Sequence, residues 1–125
     1  MQKLILGLVL ALFLSAFVPA TWAGDNEVIR RGSCSGASDW KLKAKPDDGR
    51  LEVEFEVDQN VNGDTWRVTL RRNGERFFRG LRTTQPPSGS FEVEKRTNNG
   101  PGDDRIVGRA RNLKTDELCR GALTI

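Results

Sequence analysis

Between Trp40 and Asp58 apolar and charged residues take turns along the chain. In Trp40-Lys41-Leu42-Lys43-Ala44-Lys45 every second residue is lysine, and in Leu51-Glu52-Val53-Glu54-Phe55-Glu56-Val57-Asp58 every second residue is acidic. Side chains of a strand point to alternate faces, so each segment predicts a strand with one apolar and one charged face. Pro46-Asp47-Asp48-Gly49 between them has turn composition. The pair predicts an antiparallel hairpin with lysines opposite glutamates. A slip of one residue would bury those charges, so the ladder also specifies register.

The same period continues downstream. Thr65–Arg72 places Trp66, Val68 and Leu70 inward, and Ser90–Arg96 does the same for Phe91 and Val93. Asp104–Leu113 turns Ile106, Gly108 and Ala110 inward, because the other phase would bury Arg109 and Arg111. Glu117–Ile125 closes the chain as a strand. Glu75–Arg82 is a strand whose phase the doublet Phe77-Phe78 leaves open. Asn73-Gly74 predicts a tight hairpin, since both central residues of a type I′ turn need positive φ. With the first two, these segments make about seven strands separated by short turns and no helix, which predicts an antiparallel two-sheet sandwich. In that arrangement strands one, two and five form one sheet, and three, four, six and seven the other.

The N-terminus has a different character. Lys3 precedes an apolar run from Leu4 to Val18, and Thr21-Trp22-Ala23 supplies small residues for a cut after Ala23. This reads as a secretory signal over residues 1–23. As an uncleaved anchor the run of about 15 residues would fall short of the roughly 20 needed to span a bilayer. Residues 24–36 show no periodicity and are expected to be a flexible lead-in, leaving 37–125 as the sandwich domain. An exported chain of this size often needs a staple. Cys34 and Cys119 are expected to supply it, closing a loop of about 85 residues worth about 4–5 kcal/mol in the chain-entropy account. The location expected is extracellular or in the cell envelope or periplasm, with no membrane span after cleavage.

Trp66, the Asn73-Gly74 hairpin and the run Asp104-Arg-Ile-Val-Gly-Arg-Ala-Arg-Asn112, which leads through a turn to a terminal strand, carry a family resemblance. The whole mature chain, from residue 24 onward, resembles immunoglobulin-like and fibronectin-type-III-like domains. It is similar in particular to small secreted bacterial β-sandwich proteins with one disulfide and unknown function. The resemblance implies an immunoglobulin-like sandwich and supplies no activity.

The chain has no histidine, which removes the commonest general base and metal ligand. Pairing of the cysteines leaves no thiol nucleophile, and no phosphate loop, nucleophile elbow or zinc spacing is present. A non-enzymatic protein without cofactor or metal is therefore expected. Asp103-Asp104, joined by Asp116 or Glu117, is a candidate calcium site but lacks a recognised spacing for six to eight oxygen ligands. Trp40 and Trp66 fall on apolar phases, so no stacking platform for polysaccharide or single-stranded nucleic acid is expected.

Charge placement is more informative than charge sum. The chain carries net charge +3, and loss of Lys3 with the signal reduces this to +2, which does not imply nucleic acid. The first sheet sets lysines beside glutamates. The second sets Arg67 and Arg71 beside Arg109 and Arg111; strand four adds either Arg76 and Arg82 together or Arg79, according to its phase, and strand seven adds Arg120. Guanidinium forks suit carboxylate, phosphate and sulfate. Against this, arginine stems also cover apolar surface as ordinary solvated residues. The expectation is a monomeric interaction module that binds an acidic protein or anionic envelope polymer through this face. The alternative is a secreted protease inhibitor that acts through the proline-containing loop Thr83–Gly89.

Overall fold

The computed structural model describes residues 26–125. The signal segment 1–23 and its cut lie outside the described residues. Eight strands form: β1 (Val28–Ser33), β2 (Asp39–Asp47), β3 (Arg50–Asp58), β4 (Thr65–Arg72), β5 (Glu75–Thr83), β6 (Ser90–Asn98), β7 (Arg105–Asn112) and β8 (Leu118–Thr124). They make two four-stranded antiparallel sheets, ordered β1-β2-β3-β6 and β5-β4-β7-β8. The architecture is an all-β sandwich with one disulfide. No helix among the described residues is long and apolar enough to cross a membrane.

The predicted charge ladder sets the register. Lys41, Lys43 and Lys45 lie opposite Glu56, Glu54 and Glu52. Lys43 Nζ stands 2.8 Å from Glu54, and Lys45 Nζ 3.5 Å from Glu52. The other face of the same two strands sends Leu42, Ala44, Leu51, Val53, Phe55 and Val57 into the core. Trp66, Val68, Leu70, Ile106, Ala110 and Leu123 meet them from the second sheet. At the Asn73-Gly74 hairpin φ is 50° and 85°, the positive pair that a type I′ turn requires.

Two aromatic rings set the spacing between the sheets. Gly108 and Gly121 are opposite one another on β7 and β8, both facing inward. Phe55 lies over Gly108, where an added Cβ would come within 2.8 Å of the ring; Trp40 lies over Gly121, where the corresponding distance is 2.5 Å. A side chain at either position would compete with a ring for the same volume, which explains why the apolar phase of these strands carries glycine.

Residues 28–33 correct the sequence reading. They form β1, paired with β2 from Val28↔Ala44 to Ser33↔Asp39, and are no flexible lead-in. An edge strand buries little, and inner-face Arg30 stays exposed at its open side, so the stretch shows no alternation. Eight strands thus replace the expected seven. The disulfide Cys34–Cys119 joins the end of β1 to β8 with a Cα–Cα distance of 4.3 Å. Ser35 reinforces this junction: its N–H donates to the Leu118 carbonyl, and its Oγ accepts from the Leu118 N–H. On the opposite side of the sandwich, inner-face Arg82 of β5 and Lys95 of β6 sit 5.2 and 5.1 Å from the Phe78 ring. Inward-pointing cations on edge strands hinder edge-to-edge pairing, and here the aromatic face accommodates them.

Candidate anion-binding face

The outer face of β5-β4-β7-β8 follows from the burial of Trp66, Val68, Leu70, Ile106 and Ala110. Once these point inward, the intervening residues must point out. Arg67 and Arg71 of β4, and Arg105, Arg109 and Arg111 of β7, therefore share one surface with Arg79 of β5 and Arg120 of β8. Register makes Arg67 the direct neighbour of Arg111, and Arg109 the direct neighbour of Arg120. Arg67 and Arg71 are half-buried by their neighbours, while Arg79, Arg105, Arg109, Arg111 and Arg120 are exposed.

One carboxylate answers this row: Asp116 lies 2.7 Å from Arg111 Nη1. Among the described residues, Arg67, Arg71, Arg79, Arg105, Arg109 and Arg120 have no carboxylate oxygen within 4.0 Å. Arg72, at the end of β4, behaves differently. Its Nε and Nη2 both stand 2.7 Å from Oδ1 of buried Asp104, which also accepts from Asn73 Nδ2. That contact fixes the chain ends of the second sheet and belongs to the fold.

The arginines rim an open groove of about 720 Å³. Arg71, Arg105, Arg109 and Arg120 line it together with Thr69, Val107 and Leu118, and the Asn73-Gly74 hairpin borders one end. Four guanidinium groups and no acid thus converge on a surface with aliphatic patches. Such a groove can take two or more anionic oxygens through paired N–H donors while apolar parts of the ligand rest on Val107 and Leu118.

All four arginines expected from the sequence, Arg67, Arg71, Arg109 and Arg111, lie on this face. Only Arg71 and Arg109 line the groove. Arg67 and Arg111 form an opposed pair beside it, partly neutralised by Asp116. The sequence reading did not include Arg105, although its spacing from Arg109 and Arg111 follows the same period of two. Its place beside the glycine-rich corner concealed it. Of the residues of uncertain phase, Arg79 faces out with the row and the bulge sets Arg76 opposite Arg71, whereas Arg82 turns toward Phe78.

The outer face of the other sheet has the opposite sign at one side. β3 and β6 set Glu54 opposite Glu94 and Glu56 opposite Glu92. The lysines of β2 compensate Glu52 and Glu54, so self-compensation extends over only half the sheet. Among the described residues, Glu56, Glu92 and Glu94 have no cation within 4.0 Å. A shared hydrogen bond with Glu54, partial burial and the charges of Glu54, Glu56 and Glu94 push the Glu92 carboxyl up to about 7. The hydrogen bond from Lys43 holds Glu54 below its ordinary value. Oxygens of Glu52, Glu54 and Glu94 come within 4.8 Å of one another, the spacing a cation could use, but Lys43 and Lys45 already contact this group.

The candidate calcium carboxylates are dispersed. Asp104 is held by Arg72, Asp116 by Arg111, and Glu117 accepts from the Gly36 and Ser38 N–H groups and the Ser38 hydroxyl. Within the loop Thr83–Gly89, residues 85–88 are exposed and Thr84 is buried. Gln85 and Ser90 form a bridge, and the Gly89 carbonyl accepts from the N–H groups of Gln59 and Asn60, so the loop is short and tied at its base. No protein-family model matches the chain, and no curated protein matches it.

Proposed function

We propose that this protein is an exported, non-enzymatic interaction module, and that its arginine-rich sheet face binds an acidic protein or an anionic envelope polymer. One observation carries the reading: Arg71, Arg105, Arg109 and Arg120 line a common groove, and no carboxylate lies within 4.0 Å of any of them among the described residues. Like charges opposed across strands cost tenths of a kcal/mol each. An anionic partner would remove that cost and add charge-assisted hydrogen bonds. Export is supported by the apolar N-terminal segment and by the disulfide, which persists in oxidising compartments.

The test is retention of the mature domain on immobilised poly-glutamate and on polyphosphate across a salt series. Retention is expected to fall as salt screens the contacts. Glutamine at Arg71, Arg105, Arg109 and Arg120 should abolish it. Glutamine at Arg67 and Arg111 should weaken it less, because that pair lies beside the groove. Replacement of Pro86 and Pro87 should leave it unchanged; the inhibitor reading instead requires inhibition of an extracellular protease that loop replacement, and not arginine replacement, abolishes. Retention that survives the groove substitutions would refute the proposal.

A further inference from the structure

The two broad outer faces of the sandwich carry unmet charge of opposite sign. On β5-β4-β7-β8 the unanswered groups are cations centred on Arg71, Arg109 and Arg120. On β1-β2-β3-β6 they are the carboxylates Glu56, Glu92 and Glu94, confined to the β3–β6 side. We propose that the acidic partner of the arginine face is the β3–β6 glutamate patch of a second copy of this chain, so that copies stack head to tail. This inference rests on the anion-binding reading of the arginine face and adds the identity of the acidic protein.

Three features argue for a second copy. The first is charge complementarity between patches that each repel themselves: Arg109 faces Arg120 across β7 and β8, and Glu56 faces Glu92 across β3 and β6. Docking one patch on the other relieves both. The second is a shared lattice. Both patches stand on antiparallel sheets, where same-face side chains recur at about 6.8 Å along a strand and neighbouring strands lie about 4.8 Å apart. Charges on one face can therefore meet charges on the other in several successive rows. The third is the lysine column of β2. It already neutralises Glu52 and Glu54, and its own positive charge would repel an incoming arginine face, which directs docking to the β6 side.

The two patches differ, so the contact is heterologous. A stack keeps one free arginine face at one end and one free glutamate face at the other, so such contacts extend into open chains unless the rotation closes a ring. The contact is polar and exposed, so association is weak and salt-sensitive. The monomer expected from the sequence is then the state at low concentration.

Sedimentation velocity of the mature protein tests this at rising concentration, from about 20 mM to about 500 mM NaCl. The weight-average mass should rise with concentration at low salt and return to that of a monomer at high salt. Two charge-reversed variants make the test specific: R71E/R109E and E92K/E94K. Each alone should remain monomeric. Mixed in equal amounts they should associate, because the native arginine face of E92K/E94K meets the native glutamate patch of R71E/R109E and the two reversed faces also carry opposite charge. Should a reversed pair fail to fold by near-ultraviolet circular dichroism, R109Q and E94Q replace it, each weakening association about two- to fivefold, the range exposed ion pairs supply. A wild-type protein monomeric throughout overturns the inference, as does a mixture that does not associate. If that monomer is still retained on poly-glutamate through Arg71 and Arg109, self-association fails and the anion-binding reading stands; if retention is also absent, both fail.

Discussion

Replacing Arg109 with glutamine should make the isolated domain more stable while weakening its binding of anions. Arg109 is the hub of the row. Arg120 is its direct cross-strand neighbour, Arg67 and Arg71 are its diagonal neighbours on β4, and Arg111 follows it on the same strand face. Unit charges about 7 Å apart in a water-like dielectric repel by about 0.6 kcal/mol, and by about 0.25 kcal/mol after screening at physiological salt. Four such neighbours give a relief of about 1 kcal/mol, an upper value because guanidinium groups can splay into solvent. Glutamine keeps most of the stem that covers the sheet. Urea denaturation at low, physiological and molar salt reads the effect. The stability difference should favour Arg109→Gln, be largest at low salt and approach zero at molar salt. Arg72→Gln provides the contrast: it leaves buried Asp104 without its cation, so its cost should be about 3–5 kcal/mol and nearly independent of salt. A salt-independent loss of stability in Arg109→Gln would refute the reasoning, because it would mean that the row is held by packing and not strained by charge.

Gly108→Ala should destabilise the domain by about 1–3 kcal/mol, since the new Cβ meets the buried Phe55 ring at 2.8 Å; a neutral urea midpoint would show that the sheets separate freely there. Removing the disulfide with Cys34→Ala/Cys119→Ala should cost about 2–5 kcal/mol by the same measurement, given the sequence separation of 85, and an unchanged midpoint would contradict its role as a staple. Glu92→Gln has a pH signature. The folded carboxyl is raised from 4.5 to about 7, so the folded state takes up a proton more readily than the unfolded chain. Stability linked to this group is full below the unfolded value and is lost as pH rises through the folded one. The variant should therefore gain about 0.5–1 kcal/mol over wild type at pH 8, less than the whole shift implies because the group is largely solvated, and little at pH 4. An equal gain at both pH values would place the effect elsewhere.

The amount legible in the sequence differs from one element to the next. The alternation from Trp40 to Asp58 specified its hairpin and register, because both the apolar face and the charge pairing obey a period of two. Asn73-Gly74 declared its turn through residues that tolerate positive φ. β1 was hidden because an edge strand need not hide Arg30 from water, and its pairing with β2 is a tertiary fact. Phe77-Phe78 could not be phased because a bulge between Leu70 and Arg71 leaves β5 one residue out of step with β4. The arginine face was visible as four residues sharing a phase. The groove was not, since it depends on β7 lying between β4 and β8, and on Arg105 continuing the row past the corner. Crowding at Glu92 was also hidden, because it arises only when β6 pairs with β3, more than thirty residues earlier.

The central claim is that the groove between β4, β7 and β8 binds anions through its arginines. Titration of isotopically labelled mature protein with polyphosphate, followed at the arginine Nε–H resonances, tests it most directly. The account predicts saturable shifts at Arg71, Arg105, Arg109 and Arg120, smaller ones at Arg67 and Arg111, and none at Arg72, whose Nε is bonded to Asp104. Shifts spread evenly over all arginines, or centred on Arg30, Arg50 and Arg96, would contradict it.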